Sequence, residues 1–233
     1  MENQRWAAPA WADVRKDRGD RAVADKKQLN LSSPVERYFD RQAAAYHDRS
    51  QGWLWSKLRQ RELAACMAML DPQAGETILD AGCGAGFYTR ALIAAGAGVW
   101  AVDLSEAMTR EARRAGATEV RQGDLATIEL GRLFDKILCA GALEFCFDPA
   151  AVLANLSRHL SPGGRLVLLV PRWCPAGWIY YCYHRFHGLR IHLFRWTAIR
   201  RLGNRAGLTD TCHVRPAFSI AVRFDKPADR HRS

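Results

Sequence analysis

The sequence has no uninterrupted apolar run close to the ~20 residues that a helix needs to cross a membrane. Hydrophobic residues make up 48% of its 233 positions and charged residues 25%, which is ordinary for a globular protein. Residues 1–27 carry scattered charges and no apolar stretch of the kind found in secretory signal peptides. We therefore expect a soluble, cytoplasmic protein with one well-buried domain.

The sequence also lacks any Cys-x-x-Cys pair, the spacing typical of zinc and redox sites. Its seven cysteines are widely spaced and odd in number, and cysteine within an apolar run usually behaves as a small core residue. We therefore expect free thiols, mostly buried, and no bound metal. The cysteines are Cys66, Cys83, Cys139, Cys146, Cys174, Cys182 and Cys212.

Acidic residues are scarce near the C-terminus. From Arg172 onward, twelve Arg or Lys face three Asp, which gives +9 out of a net charge of +10 for the whole sequence. Such a region can attract an anionic substrate, an acidic membrane surface or nucleic acid, or it can form a solvated basic face. Charge alone does not separate these.

Two helices are predicted at the start of the domain. Ser33-Pro34-Val35-Glu36 form a capping box with proline at the first helical position, so a helix should run to about Arg49. A second helix, from about Trp53, should end at Leu70, because the proline at position 72 disfavours helical geometry in the residue before it. We expect a poorly ordered tail at 1–31, one domain at 32–226 and a short tail at 227–233.

From Glu76 onward, short apolar runs alternate with helical segments, the pattern of parallel strands joined by crossover helices. This predicts a Rossmann-like, doubly wound α/β fold with a mostly parallel seven-stranded sheet, a closing antiparallel strand and an N-terminal helical cover. A turn is predicted at Ser161–Gly164. The predicted strands are 77–80, 99–103, 119–122, 134–140, 165–170, 208–214 and 218–224. The predicted helices are 87–95, a Ser105-capped helix to 114, 149–160, and a Thr197-capped helix to about 207.

The strongest local pattern is an apolar strand that ends in an acid and opens into alternating glycines, Ile78-Leu79-Asp80-Ala81-Gly82-Cys83-Gly84-Ala85-Gly86. Glycine is needed where the backbone turns sharply and approaches a ligand with no Cβ in the way. The pattern therefore predicts a small molecule bound at the C-terminal end of the first strand.

Asp80 indicates which small molecule fits. A dinucleotide would place its pyrophosphate over the glycine turn, and a nearby carboxylate would repel that anion. S-Adenosylmethionine instead carries a cationic ammonium at its methionine end, which Asp80 could favour directly or through water. The charge pattern therefore favours S-adenosylmethionine over NAD.

Two further acids follow the next strands. Asp103 ends the second predicted strand, 21 residues after Gly82, which suits a carboxylate that accepts hydrogen bonds from both ribose hydroxyls. Asp124 follows the third strand and could accept from the adenine amine while Leu125 packs on the ring. Either acid alone would more often be a turn or cap aspartate. Together with Asp80 they predict a nucleoside site.

Residues 76–170 resemble the class I S-adenosylmethionine-dependent methyltransferases. Leu79 to Gly86 match the family's first motif, Asp103 its acid after the second strand, and Asp124-Leu125 its adenine-side motif. Leu160-Ser-Pro-Gly-Gly-Arg-Leu166 resembles its turn into strand five. The resemblance implies S-adenosylmethionine as methyl donor and no metal. It implies donor contacts from Tyr38, Asp80, Gly82, Gly84, Gly86, Asp103, Leu104, Asp124, Leu125 and Ala140.

The N-terminal helix and the segment after strand four match the family less closely. Tyr38-Phe39-Asp40 and Tyr46 resemble the helix that covers the donor in ubiquinone-biosynthesis-type small-molecule methyltransferases, but Tyr38 is equally consistent with a core aromatic residue. Many relatives have Leu-Glu-His after strand four, where this chain has Leu143-Glu144-Phe145. Any catalytic role of that histidine is therefore lost here.

Methyl transfer from a sulfonium is an in-line displacement on carbon, so most of the acceleration can come from aligning donor and acceptor in a dry pocket. A base is needed only for a hydroxyl or a protonated amine. The sequence does not select one, since a given histidine is more often a surface or hydrogen-bonded residue. The candidate bases are His47, Glu144, His184, His187 and His192.

An irregular insertion is predicted between Pro171 and Phe194, within a substrate-side segment 171–196. Trp173 to His187 combine aromatic and basic residues. They could wall an aromatic or lipophilic acceptor, lie on a membrane interface, or form a small satellite core. We therefore expect O- or N-methylation of a small aromatic or lipophilic molecule.

Two other functions stay open as hypotheses. The basic C-terminal region is consistent with an RNA methyltransferase. That hypothesis ranks lower, because Ala140 to Glu144 do not form the Asn/Asp-Pro-Pro-Tyr motif of base-amino methyltransferases, and no RNA-binding module is recognisable. The third hypothesis is a non-catalytic S-adenosylmethionine-binding protein.

Overall fold

The computed structural model describes residues 33–49 and 53–228 of the chain. The tail predicted at 1–31 and most of the one predicted at 227–233 lie outside these residues, so both stay predictions. No helix in the described part of the chain is long and apolar enough to span a membrane.

The elements follow the predicted order along the chain. The helices are α1 (Pro34–Arg49), α2 (Trp53–Leu70), α3 (Phe87–Ala94), α4 (Glu106–Arg114), α5 (Pro149–His159), α6 (Pro175–Phe186) and α7 (Trp196–Arg205), with a 3-10 turn at Leu143–Phe145. The strands are β1 (Thr77–Ala81), β2 (Gly98–Asp103), β3 (Glu119–Gln122), β4 (Phe134–Ala140), β5 (Leu160–Pro171), β6 (Thr209–Val214) and β7 (Ser219–Asp225).

The strands form one sheet in the order β3-β2-β1-β4-β5-β7-β6. The first five are parallel, and β7 is antiparallel to both β5 and β6. Helices on both faces bury the central strands of a parallel sheet, and β4 accordingly has five successive buried positions, Lys136–Ala140. The predicted fold is confirmed.

The direction of strand order reverses between β1 and β4, because the chain runs from β1 out to β3 and then returns to β4. In doubly wound sheets, ligands bind in the crevice at this point, outside the C-terminal strand ends. The glycine turn follows β1 and the 3-10 turn follows β4, so both border this crevice.

Two apolar layers hold the helices on the sheet. On one face, Cys66 and Leu70 of α2 pack with buried residues of β4, β5 and β7. On the other face, Leu153 of α5 and Ile199 of α7 join a core that includes Phe224 of β7. Together the layers hold β4 and β5 between helices, which fixes the strand ends that border the crevice.

Helix α1 is held at the C-terminal edge of the sheet by a polar contact. Asp40 Oδ1 accepts hydrogen bonds from Ser105 Oγ at 2.5 Å and from the amide of Ala107 at 3.3 Å. Ser105 also caps α4 as predicted, since its Oγ accepts from the amide of Met108 at 3.1 Å. The N-terminal helix therefore covers the end of β2.

The predicted irregular insertion is wrong, because residues 175–186 form the regular helix α6. Its N-terminus is capped by Cys174, whose Sγ accepts from the amide of Gly177 at 3.4 Å, and Pro175 occupies the first turn. Cysteine is not among the usual capping residues, so the helix start was missed. The predicted Thr197 cap is also wrong. Helix α7 begins at Trp196, after Arg195, with no side-chain cap.

Strand β5 begins at Leu160, before the turn predicted at Ser161–Gly164. The ladder with β4 skips these four residues, which bulge out of the strand. The backbone of Lys226 holds the bulge from the other side. Its carbonyl accepts from the amide of Gly163 at 3.0 Å, and its amide donates to the carbonyl of Gly164 at 2.9 Å. The turn exists, but hydrogen bonding encloses it within the strand.

All seven cysteines have free thiols. Cys66, Cys83 and Cys139 are buried as predicted, Cys146 and Cys174 are half-buried, and Cys182 and Cys212 are exposed. The expectation that most of the cysteines are buried is therefore wrong. Cys182 lies in α6, where only Gly177 and His184 are buried, and Cys212 lies in the edge strand β6, which has no buried residue.

Candidate donor and acceptor site

The glycine turn after β1 needs glycine at its two ends. Gly82 has φ +81°, and an added Cβ would lie 2.2 Å from the Cβ of Ala142. Gly86 has φ +78° at the start of α3, where an added Cβ would lie 2.7 Å from that of Ala115. The turn is bonded to the neighbouring strand, since the amide of Gly82 donates to the carbonyl of Val102 at 2.8 Å. Both glycines are required by backbone conformation and close packing.

Gly84, in the middle of the turn, is different. An added Cβ there would meet no atom within 4 Å, so the turn is open on that side. Its amide donates to Asp103 Oδ2 at 2.9 Å, while Asp103 Oδ1 accepts from the amide of Ser105, also at 2.9 Å. Burial raises the pKa of Asp103 in spite of these bonds. The structure thus joins the predicted glycine turn to the predicted ribose-binding acid.

Asp80 lies beneath the turn and is buried. Its Oδ2 accepts a hydrogen bond from Thr89 Oγ1 at 2.6 Å. Burial raises the pKa of Asp80 to about 7, and the nearby Asp103 adds to the shift while the Thr89 hydrogen bond opposes it. A cation placed close to Asp80 would favour its ionised form.

Asp124 and Leu125 follow β3 as predicted. Asp124 is exposed, and its Oδ1 accepts from the amide of Ala126 at 2.9 Å, which is the turn role weighed from the sequence. Leu125 is buried in the core. The carbonyl of Leu104 accepts from Gln122 Nε2 at 3.0 Å, so the ends of β2 and β3 are tied together.

Glu144 is the buried acid of the segment after β4. Ala140 ends the strand, and Gly141 follows with φ +70° and an amide that donates to the carbonyl of Leu169 at 2.9 Å. Glu144 then lies in the 3-10 turn, and its Oε2 has no hydrogen-bond partner among the described residues. Burial raises the pKa of Glu144 to about 8.

Among the candidate histidines whose side chains the structure describes, His184 is the one in a buried setting. Its ring contacts those of Tyr180, Phe145 and Tyr38, with centroid distances of 4.5, 5.1 and 6.0 Å. Its Nδ1 has no hydrogen-bond partner within the described residues, and burial lowers its pKa to about 4. This aromatic cluster joins α1, the 3-10 turn and α6.

Of the other histidine candidates, His187 lies at the edge of this cluster, with its ring centroid 6.2 Å from that of Tyr38. His187 and His192 are exposed. The Nδ1 of His187 lies 2.8 Å from the carbonyl oxygen of Tyr183, and the Nε2 of His192 lies 3.1 Å from that of Cys146. The side chain of His47 lies outside the described residues, as does that of Tyr46.

Glu62 of α2 is a buried acid that the sequence reasoning missed. It accepts a hydrogen bond from Ser219 Oγ of β7, and burial raises its pKa. The charge of Glu62 also contributes to the raised pKa of Glu144. The available signal was spacing, because Glu62 stands four residues before the apolar Cys66 and therefore on the buried face of the helix.

Comparison with known proteins identifies the family of this region. Residues 79–168 match a family model described as Methyltransferase domain. Over 111 residues the chain is 35% identical to the ubiquinone biosynthesis O-methyltransferase of Xanthomonas oryzae pv. oryzae, an alignment covering 44% of this chain and 46% of the relative. Residues 79–168 are a methyltransferase domain, and the similarity supports the class I, S-adenosylmethionine-dependent group.

Solved structures share the fold of this methyltransferase domain and its flanking elements. One chain comes from a complex between the Haloferax volcanii Trm112 methyltransferase activator and a methyltransferase, with a TM-score of 0.69, 19% identity, and coverage of 81% of this chain and 97% of the other. The magnesium protoporphyrin IX methyltransferase of Synechocystis PCC 6803, solved with bound SAH, gives a TM-score of 0.65, 21% identity, and coverage of 82% and 98%. The chain spans about half the length of the named relatives it matches in sequence.

Proposed function

We propose that this protein transfers the methyl group of S-adenosylmethionine to a small aromatic or lipophilic acceptor, on oxygen or nitrogen. The observation that carries the proposal is the hydrogen bond between Gly84 and Asp103, which joins an open glycine turn to a carboxylate at the ends of adjacent strands. Sequence similarity to ubiquinone biosynthesis O-methyltransferases supports the reaction class.

The donor side fits this chemistry in three respects. Each carboxylate oxygen of Asp103 accepts one hydrogen bond, from the amide of Gly84 or of Ser105, so further lone pairs can accept from ribose hydroxyls. Gly84 leaves the turn open. Asp80 supplies a buried carboxylate that a cationic ammonium would favour. When bound, S-adenosylmethionine supplies an electrophilic methyl group. We assign its binding to Asp80, Gly82, Gly84, Gly86, Asp103, Leu104, Asp124, Leu125 and Ala140.

The acceptor side is assigned to the aromatic cluster around His184. Relatives with Leu-Glu-His after strand four carry a histidine where this chain has Phe145, and the ring of His184 packs on Phe145 at 5.1 Å. A histidine therefore lies beside the same strand end, although it comes from α6. Tyr38 belongs to this cluster through its contact with His184, and we place it between the donor and the acceptor.

Glu144 and His184 have complementary protonation states near neutral pH. The pKa of about 8 keeps the Glu144 carboxyl largely protonated, so it can donate a hydrogen bond to an acceptor oxygen or nitrogen. The pKa of about 4 keeps the His184 imidazole neutral, so it can accept a proton from a hydroxyl or an ammonium. We propose these two roles for the acceptor side. Alignment of donor and acceptor supplies most of the acceleration.

The donor site is tested by isothermal titration of the full chain with S-adenosylhomocysteine and, separately, with NAD. We expect micromolar binding of S-adenosylhomocysteine alone. Asp103→Asn should weaken it by about 1–3 kcal/mol, or roughly 5–150-fold, because hydrogen bonds to a charged acceptor are lost.

The matched control is Asp135→Asn, at the opposite edge of the same sheet, where the carboxylate accepts from the amide and hydroxyl of Thr77 at 2.8 Å. This variant should bind S-adenosylhomocysteine like the parent. Binding of NAD alone, or equal affinities for both variants, would contradict the donor assignment.

Turnover separates the enzyme from a silent binding protein. S-Adenosylhomocysteine release is measured with a panel of hydroxylated and aminated aromatic acceptors, and with structured RNA as the competing substrate class. We expect turnover on the small acceptors, with His184→Gln lowering kcat for hydroxyl acceptors while leaving donor affinity unchanged. Turnover on RNA alone would favour the RNA methyltransferase hypothesis. Donor binding without turnover on any acceptor would favour the non-catalytic binding protein.

A further inference from the structure

Helix α6 presents its apolar side outward. Its inner face contains Gly177 and His184, both buried, with Gly177 so close to the carbonyl of Arg172 that an added Cβ would lie 2.0 Å away. Its outer face contains Ile179 and Phe186, whose exposed fractions are 73% and 88%. These two are seven residues apart, so they lie on one side of the helix. A surface helix of a globular domain normally shows the opposite arrangement.

Further aromatic rings widen this outer face. Trp173, Trp178 and Tyr183 are each nearly half exposed, and the rings of Trp173 and Trp178 meet edge to face at a centroid distance of 5.3 Å. Contiguous exposed apolar surface of this kind marks an interaction site.

The charged residues of the segment that contains this face are all basic. The sequence contains no Asp or Glu between Arg172 and Asp210. Arg185 and Arg190 are exposed and form no ion pair with any carboxylate of the described residues. The guanidinium of Arg195 lies over the ring of Trp173, 5.3 Å from its centroid. An apolar face bordered by cations is complementary to a surface with an anionic outer layer and an apolar interior.

We propose that α6 and its flanking residues dock this protein on an anionic lipid surface, with Ile179 and Phe186 inserted at the acyl boundary and the arginines on the headgroups. Tryptophan and tyrosine favour the membrane interface, because their rings are apolar with one polar atom. The inner face of the same helix carries His184, so docking would turn the proposed acceptor side towards lipid-dissolved molecules. The docking itself does not depend on methyl transfer.

The test is cosedimentation of the full chain with unilamellar vesicles of phosphatidylcholine, alone or mixed equally with phosphatidylglycerol. We expect binding to the mixed vesicles that weakens with added salt. Ile179→Glu with Phe186→Glu should reduce partitioning by roughly tenfold or more, because two apolar anchors become anionic. Arg185→Gln and Arg190→Gln should each reduce it by roughly fivefold.

Leu133→Glu is the matched control, since Leu133 is an exposed apolar residue before β4, at the opposite edge of the sheet. It should leave vesicle binding unchanged, and S-adenosylhomocysteine titration of every variant checks that the fold is intact. Phe186→Gln provides a milder second variant. Failure of the parent to bind mixed vesicles, or equal binding by the Glu variants, would overturn the proposal. So would a dimer that the Glu variants dissociate, since the face would then belong to a second copy.

Discussion

Charged residues are arranged differently at the two edges of the parallel sheet that are formed by the strand ends. At the edge where the strands begin, acids and bases are paired, with Lys136 Nζ 2.7 Å from Glu76 Oε2 and Arg223 bonded twice to Asp225 at 2.9 Å. At the edge where the strands end, Asp80 and Glu144 are buried with no cation against them in the described residues, and their pKa values are raised.

This difference distinguishes a network of ion pairs from the candidate site. A cavity of about 690 Å³ lies at the paired edge, bordered by Lys136, Arg165 and Asp225 among others. Its volume is in the range of ligand pockets, but its lining is a network of opposite charges, in which Lys136 pairs with Glu76 and Arg165 lies 3.7 Å from Asp225. Buried carboxyls with raised pKa values instead occur often at functional sites, so we place the proposed site at the edge where the strands end.

The largest effect is expected for Gly82→Ala, in the turn at the strand ends. The substitution combines φ +81° with a 2.2 Å approach to Ala142, so it should cost about 3 kcal/mol or more in the free energy of unfolding. Gly75→Ala, at the other edge, has φ +84° but open space and should cost about 1–2 kcal/mol. Urea unfolding measures the loss of unfolding free energy in both variants. Equal losses would show that the structure relaxes around the close approach to Ala142.

Glu144→Gln tests the edge where the strands end through the pH dependence of the free energy of unfolding. The folded pKa of about 8 lies above the ordinary value of 4.5, so the folded state binds the proton more tightly. Stability contributed by this group is therefore present below pH 4.5 and is lost as pH rises towards 8. Between pH 5 and 7 the parent should lose about 2–3 kcal/mol more than the variant in unfolding experiments.

The control at the paired edge is Glu76→Gln, which should lower stability at pH 7, because Lys136 loses its carboxylate partner. A parent and a Glu144→Gln variant with parallel pH profiles would mean that Glu144 reaches water.

Lys136→Met tests whether the paired edge only stabilises. Lys136 is buried and donates to the carbonyl of Asp71 as well as to Glu76, so removing its ammonium should cost about 2 kcal/mol. S-Adenosylhomocysteine affinity, measured by titration, should stay unchanged. A large loss of affinity in a folded variant would move function to this edge.

The smallest expected effect is the pH dependence of donor binding. A ligand ammonium favours ionised Asp80, whose pKa is about 7 without ligand, so affinity should rise with pH. Titration of S-adenosylhomocysteine should give about tenfold tighter binding at pH 8 than at pH 6. Asp80→Asn should remove this dependence, and a persistent slope in the variant would assign it to another group.

Local patterns predicted the backbone around the glycine turn well. The glycines of the turn, the acid that ends β2 and the Ser105 cap each depend on a few consecutive residues, and the structure has them where the sequence indicated. Local patterns failed for α6, because its cap is a cysteine. They also failed to select among the acceptor-side candidates, since a histidine looks the same in sequence whether its ring is buried or exposed.

The sequence by itself determined the order of strands and helices, the position of the glycine turn and the basic C-terminal region, because backbone conformation, apolar period and charge are local properties. Only the tertiary structure decided that Glu144, Glu62 and His184 are buried, that Asp103 meets Gly84, and that α6 turns its apolar side outward. Burial and desolvation depend on how segments far apart in the chain pack together, and no short stretch of sequence contains that information.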